Sequence, residues 1–151
     1  MEFKIREAHS EDYELVYNFI LELAEYEKMS NKVVATKEMI KEEVFDKKRA
    51  FVIIAEYDNI PVGFALYFYN FSTFLGKPGI YLEDIYLKPQ YRGKGFGTLM
   101  LDYLTQFAIN NNCCKMEWVC LNWNIPSLDF YKKMGAVAMD DWILHRLTII
   151  N

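Results

Sequence analysis

Apolar and polar residues alternate through Phe3-Lys4-Ile5-Arg6, the two-residue period of a half-buried strand. The period then lengthens. Leu15, Phe19, Leu23 and Tyr26 recur at intervals of four and three, which gathers them on one helical face. Ser10 stands ahead of this run as its expected N-cap, with Glu11 and Asp12 in the first turn, where the helix dipole favours acids. Thr36 is expected to cap a second helix that carries Met39, Ile40 and Val44. β-Formers dominate Ala50 to Glu56 and Val62 to Tyr69, and Asp58-Asn59 between them is a turn signal. Phe71 to Pro78, with Gly76 and Pro78, reads as a loop before a third strand, Ile80 to Leu87, which Pro89 ends. A helix is predicted from about Gly97 to Asn111, with Met100, Tyr103, Leu104, Phe107 and Ala108 facing inward. A strand at Met116 to Leu121, a loop at Asn122 to Pro126 and a short helix capped by Ser127 and ending near Gly135 follow. Two last strands, about Ala136–Met139 and Ile143–Ile149, read as a hairpin. The order βααβββαβαββ joins a meander to crossover units. It predicts an α/β (α+β) fold, a mixed sheet with helices on both faces.

Length and composition narrow the class. The 151 residues hold no repeat, low-complexity tract or linker, so one domain spanning 1–151 is expected. Aromatics reach 17%, with 11 Tyr and 11 Phe, which suits a large core or a cleft for a ligand with an apolar arm. The net charge is −4, and the one dense basic cluster, Lys47-Lys48-Arg49, is too short to suggest a nucleic-acid partner. An acidic chain suits a cationic substrate, although solubility alone also accounts for it. Cys113, Cys114 and Cys120 are odd in number and lack a disulfide spacing, so they are read as reduced and structural. His9 and His145 lie too far apart for a zinc spacing, and no metal is expected. Met1-Glu2-Phe3-Lys4 opens no signal peptide, and no run approaches the ~18 apolar residues of a membrane span. The expected setting is cytoplasmic, without a membrane partner.

The chemistry concentrates after the third strand. Gln90-Tyr91-Arg92-Gly93-Lys94-Gly95-Phe96-Gly97 places glycines at alternate positions between a strand and an amphipathic helix. The spacing fits neither the dinucleotide fingerprint nor the P-loop. It gives a tight turn of exposed N–H groups running into a helix N-terminus, where the dipole favours an anion. Glycine lets the backbone approach phosphate oxygens without a Cβ, and Arg92 and Lys94 add charge. Just upstream, Glu83 and Asp84 are adjacent carboxylates on a strand. They point to opposite faces unless a bulge intervenes, so one is expected to face a site and the other to support it.

As a set, these residues resemble the Gcn5-related N-acetyltransferase superfamily. Arg92 to Gly97 is similar to its acyl-CoA signature, and the element order is similar to its fold. Tyr81-Leu82-Glu83-Asp84, Tyr91-Arg92-Gly93, Trp123-Asn124-Ile125-Pro126-Ser127 and Phe130-Tyr131-Lys132 resemble the diamine (spermidine/spermine) and thialysine acetyltransferases. The resemblance runs from the first helix, through Glu22-Leu23-Ala24-Glu25-Tyr26-Glu27, to about Trp142. It implies a mostly antiparallel sheet of about six to seven strands, acetyl-CoA as cosubstrate, and direct attack by a primary amine in a ternary complex. The acceptor would be a diamine, a polyamine or a thialysine- or lysine-like amino acid. A protein N-terminus or lysine as acceptor, or a non-catalytic acyl-CoA sensor, are the alternatives. A homodimer is also implied, with the apolar segment Leu144 to Ile150 available for sharing.

The resemblance also implies roles. Ile85, Tyr86 and Leu87 would pair their backbone with the pantetheine arm, with the Leu87 N–H on the thioester carbonyl. Arg92, Gly93, Lys94, Gly95, Phe96, Gly97 and Thr98 would hold the pyrophosphate, Asn124 and Ser127 the CoA arm, and Lys133 falls where relatives contact the adenosine end with arginine. Tyr131 would be the general acid and Glu83 the acceptor-binding carboxylate, relaying a proton through water. Tyr26, Glu27, Asp84, Glu117, Trp118, Val119 and Asp140 would line the acceptor site, while most other charges of the first helix, Glu22 and Glu25 among them, read as solvated.

Overall fold

The computed structural model describes residues 2–149; Met1, Ile150 and Asn151, and with them the Ile150 end of the C-terminal apolar segment, lie outside the described residues. By their contacts the described residues fall into two compact units, divided between Val119 and Cys120.

The first unit is built on a sheet in sequence order. β1 (Phe3–Glu7), β2 (Phe51–Tyr57), β3 (Ile60–Ser72) and β4 (Lys77–Leu87) are antiparallel neighbours, and β5 (Met116–Glu117) lies parallel to β4. The predicted mixed, mostly antiparallel sheet is present, with five strands among the described residues rather than six or seven. The turn at Asp58-Asn59 holds as read. Both residues have positive φ, 51° and 67°, the two-residue geometry that matches strand twist. The loop expected at Phe71 to Pro78 is shorter than its composition suggested. Phe71 pairs with Pro78 and Ser72 with Lys77, so only the tip around Gly76 turns.

Alternation sends one set of side chains to each face. Val52, Ile54, Phe64, Leu66 and Tyr86 meet Val16, Phe19 and Leu23 of α1 (Tyr13–Tyr26). Phe19 stacks on Phe64 at 5.5 Å; burying a ring of this size contributes roughly 1.5–3 kcal/mol. The opposite face receives α3 (Phe96–Asn110): Phe96 stacks on Phe3 at 4.3 Å and Phe107 meets Tyr67 edge-on at 5.4 Å. Helices therefore cover both faces, as the pattern predicted. None of the described helices is long and apolar enough to cross a membrane.

The first helix begins differently from the prediction. Ser10 lies inside a 3-10 turn, Ser10–Asp12, and does not cap α1. Asp12 instead accepts from the His9 N–H at 2.7 Å, because Arg6 of β1 grips the same carboxylate at 2.8 and 3.0 Å. Thr36 does cap α2 (Lys37–Ile40), accepting from the Met39 N–H, and α2 runs on into a π-helical turn, Lys41–Asp46.

The second unit contains α4 (Ile125–Lys133). Its cap is Asn124, whose side chain accepts from the Ser127 N–H at 3.4 Å, so Ser127 sits inside the helix it was expected to cap. The strand expected at Met116 to Leu121 stops at Glu117, and the strands expected at 136–139 and 143–149 do not form. A strand needs a neighbour for its N–H and C=O groups. Among the described residues the last segment has no strand neighbour, and Trp142, Ile143, Leu144, Leu147 and Ile149 stay exposed.

Candidate active site

The glycine loop has the geometry of an anion cradle. Gly93 and Gly95 have φ of 75° and 83°, a left-handed conformation that other residues adopt only with strain. No atom stands within 4 Å of where a Cβ would project from either, so the loop is open to a ligand. Gly95 is the N-cap of α3 and offers no side chain, so the N–H groups of Phe96, Gly97 and Thr98 have no capping acceptor; the first helical bond is Leu99 N–H to Gly95 O. Uncapped amides, the positive end of a fifteen-residue helix and exposed Lys94 suit the pyrophosphate of an acyl-CoA. Phe96 contributes only its backbone here. Its ring is buried against Phe3 and near Tyr57, which anchors the start of α3.

The strand before the loop has one open edge. β5 pairs with β4 only at Ile80 and Tyr81, so beyond Tyr81 the two strands part. Lys88 N–H donates to Val62 O at 2.8 Å, which makes Val62 and Lys88 a hydrogen-bonded pair and Gly63 and Leu87 the adjoining open pair. Alternation then turns the backbone groups of Ile85 and Leu87 away from β3, toward the side where β5 has stopped. Tyr86, between them, turns its backbone to β3 and its ring into the α1 core, where its hydroxyl donates to Glu22 at 3.1 Å. Arg92 closes this corner: its Nε donates to Leu87 O at 2.8 Å, and its guanidinium lies 4.5 Å from the Tyr26 ring and 5.6 Å from that of Tyr86.

A β-bulge decides how the carboxylates sit. Leu66 pairs with Asp84 and Tyr67 with Leu82, so Glu83 is the extra residue. Asp84 falls on the α1 face beside Leu66, while Glu83 is displaced and exposed. Glu27, just past the end of α1, joins them. Burial and then Glu83 raise the Glu27 carboxyl; burial, then Glu83, then Glu27 push Asp84 up to about 7. None of the three carboxylates has an ion pair among the described residues. Three interacting carboxylates without a counter-ion favour an incoming cation.

The raised Asp84 gives the folded chain a pH dependence of known sign. Folding favours the protonated carboxyl, so the stability linked to it is whole below the unfolded pKa of ~3.9 and is lost as pH rises through about 7. Asp84→Asn is neutral throughout. Its Tm should exceed that of the wild type by more at pH 8 than at pH 5. A difference independent of pH would show that Asp84 is not held protonated by its surroundings.

The remaining predicted residues are distributed differently. Glu117 is neutralised by Lys115 at 3.1 Å and accepts from Asn70 at 3.3 Å, so it adds little charge to an acceptor site. Trp118 and Val119 follow β5 as irregular chain. Asn124, Ser127, Tyr131, Lys133 and Asp140 belong to the second unit. There Asn124 is buried at the head of α4, Tyr131 is half-buried with its ring 5.6 Å from Phe130, and Lys133 and Asp140 are exposed. Glu22 departs from the solvated face assigned to it: Lys88 holds it at 3.1 Å and Tyr86 donates to it, so α1 is tied to β4 just before the glycine loop. An acid at Glu22, one turn before Tyr26, and a lysine right after the strand were the available signals.

The family model described as the acetyltransferase (GNAT) family matches residues 5–136. A thialysine N-epsilon-acetyltransferase of Bos taurus is 36% identical over 141 residues, covering 87% of this chain and 82% of that protein. An L-ornithine N5-acetyltransferase of Arabidopsis thaliana is 41% identical over 91 residues, covering 60% of this chain and 40% of that protein. Among solved structures, an integron cassette protein from the mobile metagenome of V. cholerae superposes with a TM-score of 0.82 at 26% identity, covering 98% of this chain and 93% of that one.

Proposed function

Because the chain belongs to the acetyltransferase (GNAT) family and is an acyl-transferring enzyme, we propose that it moves an acetyl group from acetyl-CoA to a primary amine of a small cationic acceptor: a diamine, a polyamine or a thialysine- or lysine-like amino acid. The observation that carries this reading is the trio Glu27, Glu83 and Asp84, uncompensated carboxylates on and beside the strand that leads into an anion cradle. The names of the relatives point the same way, since thialysine and ornithine both carry a terminal side-chain amine.

The steps follow from the chemistry of each group. The amine enters as an ammonium, which titrates near ~10.4 in water and must lose a proton to attack. The carboxylates draw it in, and Glu83, the displaced and solvent-exposed member, takes that proton through water. The nitrogen attacks the thioester carbonyl, whose oxygen gathers charge on the Leu87 N–H. The C–S bond then breaks, Tyr131 protonates the departing thiolate, and the second proton, shed by the acylated nitrogen, returns through water to restore the phenol. Arg92, Lys94 and the amides of Phe96, Gly97 and Thr98 hold the pyrophosphate; Asn124 and Ser127 hold the CoA arm. The exposed apolar run Trp142 to Ile149 supports a homodimer in which a second copy supplies its missing strand neighbour, a state that sedimentation equilibrium measures.

CoA release assayed with cadaverine, putrescine, spermidine, spermine, thialysine and lysine tests the reading. Turnover is expected with at least one. Glu83→Gln should raise the KM for that amine and lower kcat while leaving the KM for acetyl-CoA unchanged. No release with any of the six would overturn the small-amine assignment.

A further inference from the structure

A cavity of about 410 Å³ opens in the first unit, at the end of the sheet where β2 begins. That volume lies toward the small end of the ~300–1,000 Å³ typical of small-molecule sites. Its walls are aromatic. Phe51 lies 5.8 Å from both Tyr67 and Tyr69, and Phe107 of α3 closes on Tyr67 at 5.4 Å. Phe45 enters from the π-helical turn. Such turns are rare and concentrate at functional sites.

Two charged side chains and two tyrosines line the same space. Lys47 and Arg49 are held by Glu42 and Glu43, but Lys48 between them adopts a φ of 54° and lines the cavity with no carboxylate partner among the described residues. A left-handed lysine costs of order 1 kcal/mol or more, a strain often found at ligand clamps. Glu7, at the end of β1, also lines the cavity, and its carboxylate likewise has no ion-pair partner among the described residues. The two do not pair with each other. Tyr67 is only 3% exposed and forms part of the cavity wall.

We propose that this cavity is a second small-molecule site that takes a zwitterionic amino acid with an aromatic side chain. The ring stacks among Phe51, Tyr67, Tyr69 and Phe107, the ammonium meets Glu7 and the carboxylate meets Lys48. A ring of this kind gains from offset and edge-on contacts with aromatic walls, and opposite rim charges discriminate against a ligand that carries only one of them.

Isothermal titration of the whole protein with L-phenylalanine, phenethylamine and 3-phenylpropionate tests this without reference to acetyl transfer. L-Phenylalanine should bind about two- to fivefold more tightly than either analogue, the amount that exposed rim charges support. Glu7→Gln should erase its advantage over 3-phenylpropionate alone, and Lys48→Gln its advantage over phenethylamine alone. Both positions are exposed, so neither change threatens the fold. Absence of L-phenylalanine binding at ~10 mM, or binding indifferent to both substitutions, would overturn the proposal.

Discussion

Tyr131→Phe is expected to lower kcat roughly ten- to thousandfold while the KM for acetyl-CoA changes little, the range of a lost general acid. The departing group is the CoA thiolate, whose parent thiol titrates near ~8.5, against ~10 for a phenol. Proton transfer from the phenol is thus only mildly uphill and is drawn forward as the C–S bond breaks. Phenylalanine keeps the ring and removes only the hydroxyl. The ring lies 5.6 Å from Phe130, and the Tyr131 carbonyl still receives the Ala136 N–H at 3.1 Å past the end of α4. Both of these contacts survive the substitution. A residue that merely packs would tolerate the change, with kcat and both KM values at wild-type levels, and that result would remove Tyr131 from the chemistry. A matched loss in kcat and in kcat/KM for the amine is what an interaction made only in the transition state gives.

How far the sequence could be read depended on whether the deciding contact was local. The glycine run was legible because its constraint is local: Gly93 and Gly95 adopt the left-handed φ that alternate glycines suggest, and α3 starts within one residue of the expected place. The Asp58-Asn59 turn and the Thr36 cap were legible for the same reason. The Ser10 cap was misread because the winning partner, Arg6 on Asp12, comes from β1. The bulge at Glu83 was foreseen only as a possibility, since register depends on what β3 presents opposite it. Nothing local marks Glu22 as held by Lys88, 66 residues away. The C-terminal strands were read from β-forming composition and do not form among the described residues, because composition cannot supply the neighbour a strand requires.

Gly63→Ala is expected to cost about 2–4 kcal/mol, the scale of overpacking against a backbone that cannot yield. A Cβ on Gly63 would collide with the Tyr86 carbonyl oxygen and stand 3.2 Å from both the Cα and a side-chain carbon of Leu87. Two of these three are backbone atoms of β4. They can retreat only if β3 and β4 part, and the Lys88 to Val62 hydrogen bond at 2.8 Å sits at that point. For a chain of this size the loss corresponds to a Tm lower by roughly 5–15 °C. Gly76→Ala is the control. It stands in open space with a φ of 65°, so it carries only the left-handed penalty, about 1–2 kcal/mol, and no collision. Thermal unfolding should therefore rank wild type above Gly76→Ala and Gly76→Ala above Gly63→Ala. The Gly63 variant should also lose turnover in its folded fraction, because the displaced residue is Leu87, whose N–H is proposed to receive the thioester oxygen. The Gly76 variant, at the hairpin tip far along β4 from Leu87, should not. Equal Tm values for the two variants would mean that β3 and β4 can part at little cost, and the close approach at Gly63 would then not be what fixes the Leu87 backbone.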